Sequence, residues 1–452
     1  MRTIFSTVKL RGRQVFGLSL LVLLSAVGEM LLPSLLAQMI NRGVATGADR
    51  MILTLAVAMA GITVLACVVN FLSVKMAARI STDFAAQLRG EVFAKVQSFS
   101  AGELDQFGTA SLVTRSTSDI TNVQNFLTML LRIGILAPMM AVAGLVFSAA
   151  TGGEVSSVLT VAIPVLLISL GIIVAMASRY SVKLRKKLDQ INRLFLESLE
   201  GVRVIRAFNR QGAESGRFNE ANRDYADTAM AAGRITSLLM PAINVIFGVT
   251  TAAVLGPLVA NSQYISMVLM SVMMLALVIT MFPTTYACAK RIAQVLETNS
   301  SITDGSFDAD KRPLRSTVEF HHVTFAYPGA DEPVLKDISF VSRPGEVPAI
   351  IGGTGRGKSS IVKLIPRLYD PLFGTVLIDG VNARDYKVEE LRALIGYVPQ
   401  KNVLFSGDIA SNLNFGDEKG TDEDWRRAAE IACAGEFIEK KPEGYHDPIA
   451  QG

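Results

Sequence analysis

Six apolar runs crowd the first 282 residues: Val15–Ile40, Met51–Ala77, Phe126–Ala149, Val155–Ala177, Ile235–Val259 and Tyr264–Phe282. A hydrocarbon layer offers a backbone amide no water, so a run of this length must close its hydrogen bonds within itself, as a helix. That constraint settles the amino-terminal part of the chain as a helical membrane unit before any other residue is considered. The first run follows Arg2, Lys9, Arg11 and Arg13, as a secretion signal would. It is longer than the roughly 7–15 apolar residues of a signal and is interrupted by Glu29, so it reads as a retained span. Hydrophobic residues make up 50% of the 452 and charged ones only 19%, with a mean hydropathy of +0.38. This apolar excess ends near residue 297, which separates a membrane domain over 1–297 from a linker over 298–315 and a mixed, charged domain over 316–452. Cys67, Cys288 and Cys433 are too scattered for metal-ligand or disulfide spacing.

Two polar segments, Ala78–Asn125 and Arg179–Arg234, keep helical periodicity and are too long for simple connections. They read either as helices that leave the membrane and double back or as solvated charged faces. Lys and Arg concentrate in Arg2–Arg13, Arg79–Arg115 and Arg179–Arg234 and are missing from the turns Ala150–Glu154 and Ala260–Gln263, although Arg42 and Arg50 flank the first turn. The positive-inside bias therefore predicts a multi-pass protein of the cell (plasma) membrane with both termini cytoplasmic. The net charge of +4 resides largely beside the spans and implies no nucleic-acid partner.

The second domain centres on Gly352-Gly353-Thr354-Gly355-Arg356-Gly357-Lys358-Ser359, which fits G-x-x-x-x-G-K-[ST]. Ala349–Ile351 enters it as an expected strand, and Ser360–Leu364 leaves it with helical character. Glycines let a backbone wrap a polyphosphate without Cβ clashes, so that successive N–H groups face the negative charge. The lysine of such a loop reaches the β- and γ-phosphates and the serine hydroxyl ligates Mg²⁺, which makes Lys358 and Ser359 the corresponding candidates. Further strands are expected over Val318–Phe320, Val323–Phe325, Ile338–Val341, Gly374–Gly380 and Leu394–Val398, and helix over Asp422–Lys440.

In order along the chain, these features resemble the ATP-binding cassette exporters, specifically a half-transporter with a six-helix membrane domain ahead of one cassette. The resemblance rests on Phe325-Ala326-Tyr327, the phosphate loop, Tyr369-Asp370-Pro371, Val376–Gly380 and Gly396-Tyr397-Val398-Pro399-Gln400. In the membrane part, Phe107–Leu112 and Leu199–Phe208 are similar to the family's two intracellular coupling loops. The resemblance implies an all-α six-helix membrane domain followed by an α/β P-loop nucleotide-binding domain, of which residues 316–452 form the amino-terminal part. It implies ATP and Mg²⁺ as cofactors, with Tyr327 stacked on the adenine and Gly352, Gly353, Thr354, Gly355, Arg356, Gly357, Lys358, Ser359 and Ser360 around the phosphates. Lys358 and Gln400 take the catalytic roles, Ser359 and Gln400 the metal. The family's signature loop, its acidic catalytic strand and its switch histidine fall beyond residue 452, and none of His321, His322 and His446 stands in for that switch. The expectation is ATP binding with poor hydrolysis by this stretch of a longer protein. Pro348 in an expected central strand, Arg356 in a slot usually held by a small residue and a shortened sixth span depart from the pattern.

Glu29 in the first span either recognises cargo or is paired within the bundle, and Arg132 reads as a snorkelling residue. Met267, Met270, Met274 and Met281 form either a surface for apolar ligands or ordinary packing, and Pro138, Pro164 and Pro241 are candidate kinks. The implied activity is ATP-dependent export of a small or amphipathic substrate through the bilayer by a dimer of half-transporters, identical or not. The alternative is a nucleotide-binding membrane regulator or degenerate partner subunit that does not hydrolyse ATP.

Overall fold

The computed structural model describes residues 2–8, 11–44, 46–151, 153–253, 259–307, 316–416 and 420–450. The chain divides into two units, one of Met1–Phe99 and Glu103–Ser300, the other of Ser100–Gly102 and Ser301–Gly452.

The first unit is helical throughout. After a short α1 (Arg2–Thr7) come the long helices α2 (Gly12–Gln38) and α3 (Asp49–Gln97), then α4 (Ala101–Phe107) and α5 (Thr109–Thr114). They are followed by α6 (Ile120–Thr151), α7 (Gly153–Glu200), α8 (Val202–Ala207), α9 (Gln211–Ser237), α10 (Leu239–Ala253) and α11 (Val259–Glu297). Among the described residues, five segments are long and apolar enough to cross a membrane: Gly12–Val44, Asp49–Gln97, Thr109–Ala143, Gln211–Ile246 and Ser266–Glu297. Polar side chains within them return hydrogen bonds to their own helix. Ser19 Oγ donates to Val15 O at 2.9 Å, Thr63 Oγ1 to Met59 O at 2.8 Å and Ser271 Oγ to Val268 O at 2.7 Å, so these hydroxyls need no water.

At about 1.5 Å per residue, the 49 residues of α3 reach about 74 Å, more than twice a hydrocarbon core of about 30 Å. The polar segment Ala78–Asn125 is therefore the continuation of α3 and a helical return. Helices α7 and α9 run antiparallel, as Lys187 pairs with Asp224 and, ten residues further on, Glu197 Oε2 pairs with Arg217 Nη2 at 3.3 Å. Pro241 does more than kink the fifth span. It has no N–H to donate to the Ser237 carbonyl, and the helix breaks between Ser237 and Leu239 into α9 and α10. Pro138 and Pro164 lie inside the continuous helices α6 and α7. The helix that carries the sixth apolar run, α11, covers 39 residues and extends past that run at both ends. Residues Ala260–Gln263, expected as a turn, are its first coil; the connection before it lies outside the described residues, as does Gly152 in the Ala150–Glu154 turn.

A polar lock joins α6 to α11. Asp119, 2% exposed at the end of a π-helical turn over Arg115–Asp119, accepts from Arg291 Nε at 2.7 Å and Nη2 at 2.5 Å. Arg115 Nη1 donates to Arg291 O at 2.9 Å and Gln294 Oε1 at 3.2 Å, and its guanidinium carbon lies 4.8 Å from the Phe107 ring centroid.

In the second unit, strands β1 (Val318–Phe325), β2 (Leu335–Ser342), β3 (Phe373–Ile378) and β4 (Val381–Asn382) form an antiparallel sheet in the order β2-β1-β3-β4. The expected pieces Val318–Phe320 and Val323–Phe325 are one strand with bulged register between them. Three residues of unbroken strand would turn Val323 away from the face of Phe320. The irregularity resets the phase, and Phe320, Val323 and Phe325 all enter the core with Leu335, Val376 and Tyr386.

Two strand expectations fail. Among the described residues Ala349–Ile351 and Leu394–Val398 have no ladder partners, with Val347 94%, Ile351 93% and Val398 85% exposed. Near-continuous apolar strands are stable when neighbours cover them, the described sheet supplies none here, and Pro348 has no N–H to give.

The stretch read as linker is held in its first part. Gly305 N donates to Tyr386 O at 2.9 Å, Phe307 N to Asp385 O at 2.8 Å, and Asp304 Oδ1 accepts from Val388 N at 2.9 Å. Phe307 meets the Tyr386 ring edge-on at 4.9 Å. Residues 308–315 lie outside the described residues. A Cβ at Gly305 would fall 2.0 Å from Asp385 O, so Gly305→Ala must lift this strip off, at about 1–3 kcal/mol. The expected result is faster protease cleavage within Ser301–Phe307 than in wild type; equal cleavage rates would show that the strip is not held there.

Short helices complete the unit: α12 (Lys358–Leu364), α13 (Val388–Ala393), α14 (Ile409–Leu413), α15 (Asp422–Ile431) and α16 (Gly435–Glu439). The last three surround a small core of Trp425, Ala429, Ile438 and Tyr445, with Trp425 and Tyr445 4.6 Å apart and Arg426 5.0 Å from each ring centroid. Strand β5 (Gly407–Asp408) pairs with β6 (Pro448–Ile449), and hydrogen bonds with His446 and Ser411 hold the Asp408 carboxyl well below the usual carboxylate range.

Candidate nucleotide site

The phosphate-loop motif lies between the exposed segment 347–351 and α12. Gly355 and Gly357 have φ of +80° and +81°, left-handed values that a side chain resists. At Gly357 space forbids one as well, because a Cβ would stand 2.7 Å from Leu335 Cδ2 and 3.0 Å from Val334 Cγ1. Leu335 belongs to the buried core, so the loop's last glycine is pressed against the sheet. Gly352, Gly353, Thr354, Gly355, Arg356 and Ser359 are exposed, Lys358 is half-buried, and Gly357 and Ser360 are buried.

The Lys358 ammonium folds over the loop and donates to Gly352 O at 2.8 Å and Gly353 O at 2.7 Å. Among the described residues the backbone N–H groups of Gly355, Gly357, Lys358 and Ser359 have no hydrogen-bond acceptor, whereas Ser360 N and Ile361 N are satisfied by Gly357 O. Unengaged N–H groups beside glycines of positive φ, with a lysine ammonium over them, are a donor set suited to phosphate oxygens. The exposed Ser359 hydroxyl is the oxygen donor for a hard cation such as Mg²⁺. ATP and Mg²⁺ thus fit the residues present.

The Ser360 hydroxyl lies 2.9 Å from Tyr327 Oη and ties that ring to the first turn of α12. Tyr327 also meets Phe325 edge-on at 4.9 Å and Tyr369 at 5.2 Å, while the Lys363 ammonium lies 5.4 Å from its centroid and 5.7 Å from that of Tyr369. A cavity of about 350 Å³ beside this cluster is lined by Ser100, Ser301, Phe325, Tyr327, Tyr369 and Asp370. The structure thus links Tyr327, Ser360, Lys358, Gly352 and Gly353 into one neighbourhood. It does not tie Gln400 to it, since Gln400 is exposed at the end of the unpaired segment 394–400.

Two contributors escaped the sequence reading. Lys363 is one of many lysines until the fold sets it over two tyrosines. Arg367, 4% exposed and at φ +50°, donates to Asp370 at 3.0 Å and 3.3 Å, to Thr303 O at 2.9 Å and to Arg384 O at 3.3 Å. It anchors the turn after α12, and its only local signal is the Arg-x-x-Asp spacing to Asp370.

Comparison with known proteins agrees with both units. Residues 15–282 match the family described as the ABC transporter transmembrane region, and residues 335–445 match the ABC transporter family. An uncharacterised ABC transporter ATP-binding protein of Mycobacterium tuberculosis is 34% identical, over 97% of this chain and 78% of its own length. An uncharacterised ABC transporter ATP-binding protein of Bacillus subtilis is 33% identical over 96% and 78%. The ATP-dependent lipid A-core flippase of Pseudomonas aeruginosa is 27% identical over 84% and 65%. In three dimensions the chain resembles a bacterial Atm1-family ABC exporter solved with ATP bound, with a TM-score of 0.74 and 23% identity over 97% of this chain and 80% of that one. A membrane region and a cassette follow one another on a single polypeptide, in a half-transporter arrangement, and the chain belongs to the ATP-binding cassette transporters.

Proposed function

We propose that the protein is one half of a dimeric transporter that uses ATP to export a small or amphipathic molecule across the cell membrane, with both termini in the cytoplasm. The observation that carries the reading is the loop of Gly352–Ser359. Among the described residues its lysine is bonded only to the loop's own carbonyls, and four N–H groups beside it have no acceptor. In this reading Lys358 exchanges Gly352 O and Gly353 O for the β- and γ-phosphate oxygens. Gly352 through Ser360 surround the phosphates, Tyr327 stacks on the adenine, Ser359 ligates Mg²⁺, and Gln400 contacts the metal or the attacking water. The bundle over residues 1–297 forms the path, residues 298–315 the connection and residues 316–452 the nucleotide-binding part. A second half-transporter, identical or related, completes the assembly.

The test is ATP-driven accumulation of a fluorescent amphiphile in sealed vesicles carrying the purified protein, with ADP as control. Accumulation that requires ATP supports export. Saturable ATP binding with no ATP-dependent accumulation would overturn it in favour of a nucleotide-binding regulator.

A further inference from the structure

Glu29 is the only acidic residue within the six apolar runs. It lies 16 residues after Arg13 and 13 before Arg42, about 24 Å and 20 Å along a helix, which puts it near mid-membrane. An ionisable group at that depth is costly unless it meets protein, water or a counter-charge.

Its direction follows from its neighbours. Residues four apart share a helix face, and both Ser25 and Pro33, one turn to either side, are buried. Leu23, Leu24, Val27 and Leu31 are the exposed residues around it, so Glu29 lies on the inward stripe and not on the lipid face. Gly28 approaches Ala66 of α3, with 3.4 Å between Ala66 Cβ and a Cβ built on the glycine. Met30 packs with Met140 of α6 and Met267 of α11. Half-buried Glu29 thus lies between the arc that meets α3 and the arc that meets α6 and α11. Met267 shares this packing, whereas Met270 and Met281 further along α11 are about half exposed.

No cation of the chain is available at that level. The sequence has no Lys, Arg or His between Arg13 and Arg42, Arg50 and Lys75, Arg132 and Arg179, or Arg234 and Lys290. Arg132 is exposed and lies two turns, about 12 Å, along α6 from Met140. A second copy of the chain would bring no other basic residue. In a homodimer the counter-charge therefore comes from outside the protein, and the methionine side chains alongside are pliable, polarisable partners for an apolar tail.

We propose that Glu29 is the selectivity residue of the membrane unit and receives the positively charged head of an amphipathic substrate. This rests on the export reading above and narrows its substrate class. A permanent cation neutralises Glu29 without a proton, and a neutral amphiphile of the same length does not.

The experiment uses the full chain in lipid nanodiscs and two fluorescent amphiphiles of equal tail length, one with a quaternary ammonium head and one with a hydroxyl head. Wild type is expected to bind the ammonium probe at least about 10-fold more tightly. Glu29→Gln, which keeps the shape and removes the charge, is expected to bring the two affinities within about twofold. Glu29→Asp is expected to retain the preference, which shows that the site is folded. Equal affinity in wild type, or a preference that survives Glu29→Gln, overturns the proposal; the latter is the result for a carboxyl that is already protonated. The vesicle assay separates the two readings. ATP-driven movement of the neutral probe alone keeps export and removes the role of Glu29. An ammonium preference lost in Glu29→Gln without ATP-driven movement keeps Glu29 as a cation site and removes export.

Discussion

Lys358→Ala is expected to raise the Kd for MgATP by about one to two orders of magnitude. A hydrogen bond to a charged group contributes about 1.5–3 kcal/mol, and the phosphate chain is the most highly charged part of the ligand. The variant should leave the fold intact, because the ammonium it removes bonds only to the exposed carbonyls of Gly352 and Gly353, which water can satisfy. Titration with a fluorescent ATP analogue measures the affinity, and circular dichroism checks the fold. A second change separates charge from shape. Lys358→Arg keeps the charge but replaces a compact ammonium with a wide, planar fork, and is expected to recover only part of the affinity. Unchanged affinity in Lys358→Ala would remove the loop from the nucleotide site.

Arg291→Ala is expected to destabilise the membrane unit by about 1–3 kcal/mol, because it removes both short bonds to a buried carboxylate and leaves only the Arg115 charge and the Cys288 thiol to act on it. Asp119 is 2% exposed and accepts both of its short bonds from Arg291. Replacing the pair together, as Asp119→Asn with Arg291→Met, removes both charges and is expected to recover most of the loss. The measurement is the thermal unfolding midpoint in detergent for wild type, the two single variants and the double variant. A double variant as unstable as Arg291→Ala would mean that packing, not the stranded charge, sets the cost.

That the amino-terminal part of the chain is built of long apolar helices was legible because hydrocarbon leaves a chain so few choices. Polar residues near the ends of spans were not legible in the same way. Ala260–Gln263 look like a turn, yet they form the first coil of α11, since a helix end near the membrane surface can carry Asn and Gln at little cost. Pro241 was visible as a helix disturbance, and its strength was set by its place: it is the third residue of α10, where a proline is tolerated after a break. The phosphate loop could be recognised because its glycines are dictated by backbone geometry. The direct contact between Tyr327 and Ser360 could not, since they are 33 residues apart and meet only through the fold. The Asp119–Arg291 lock, whose partners are 172 positions apart, leaves no local trace at all. Ala349–Ile351 and Leu394–Val398 were misread for the opposite reason. Their composition is that of buried strands, but a strand is defined by its neighbours, and composition does not supply them.

The small core around α15 also gives the protein a built-in optical probe. Trp425 is the chain's one tryptophan, and it lies 6% exposed against Tyr445 and under the Arg426 guanidinium. Near-ultraviolet emission excited at the indole band therefore comes from this corner alone, while far-ultraviolet dichroism is dominated by the long membrane helices. A red shift in emission that precedes loss of helical dichroism on heating would report the opening of this corner by itself, without a label or an added chromophore.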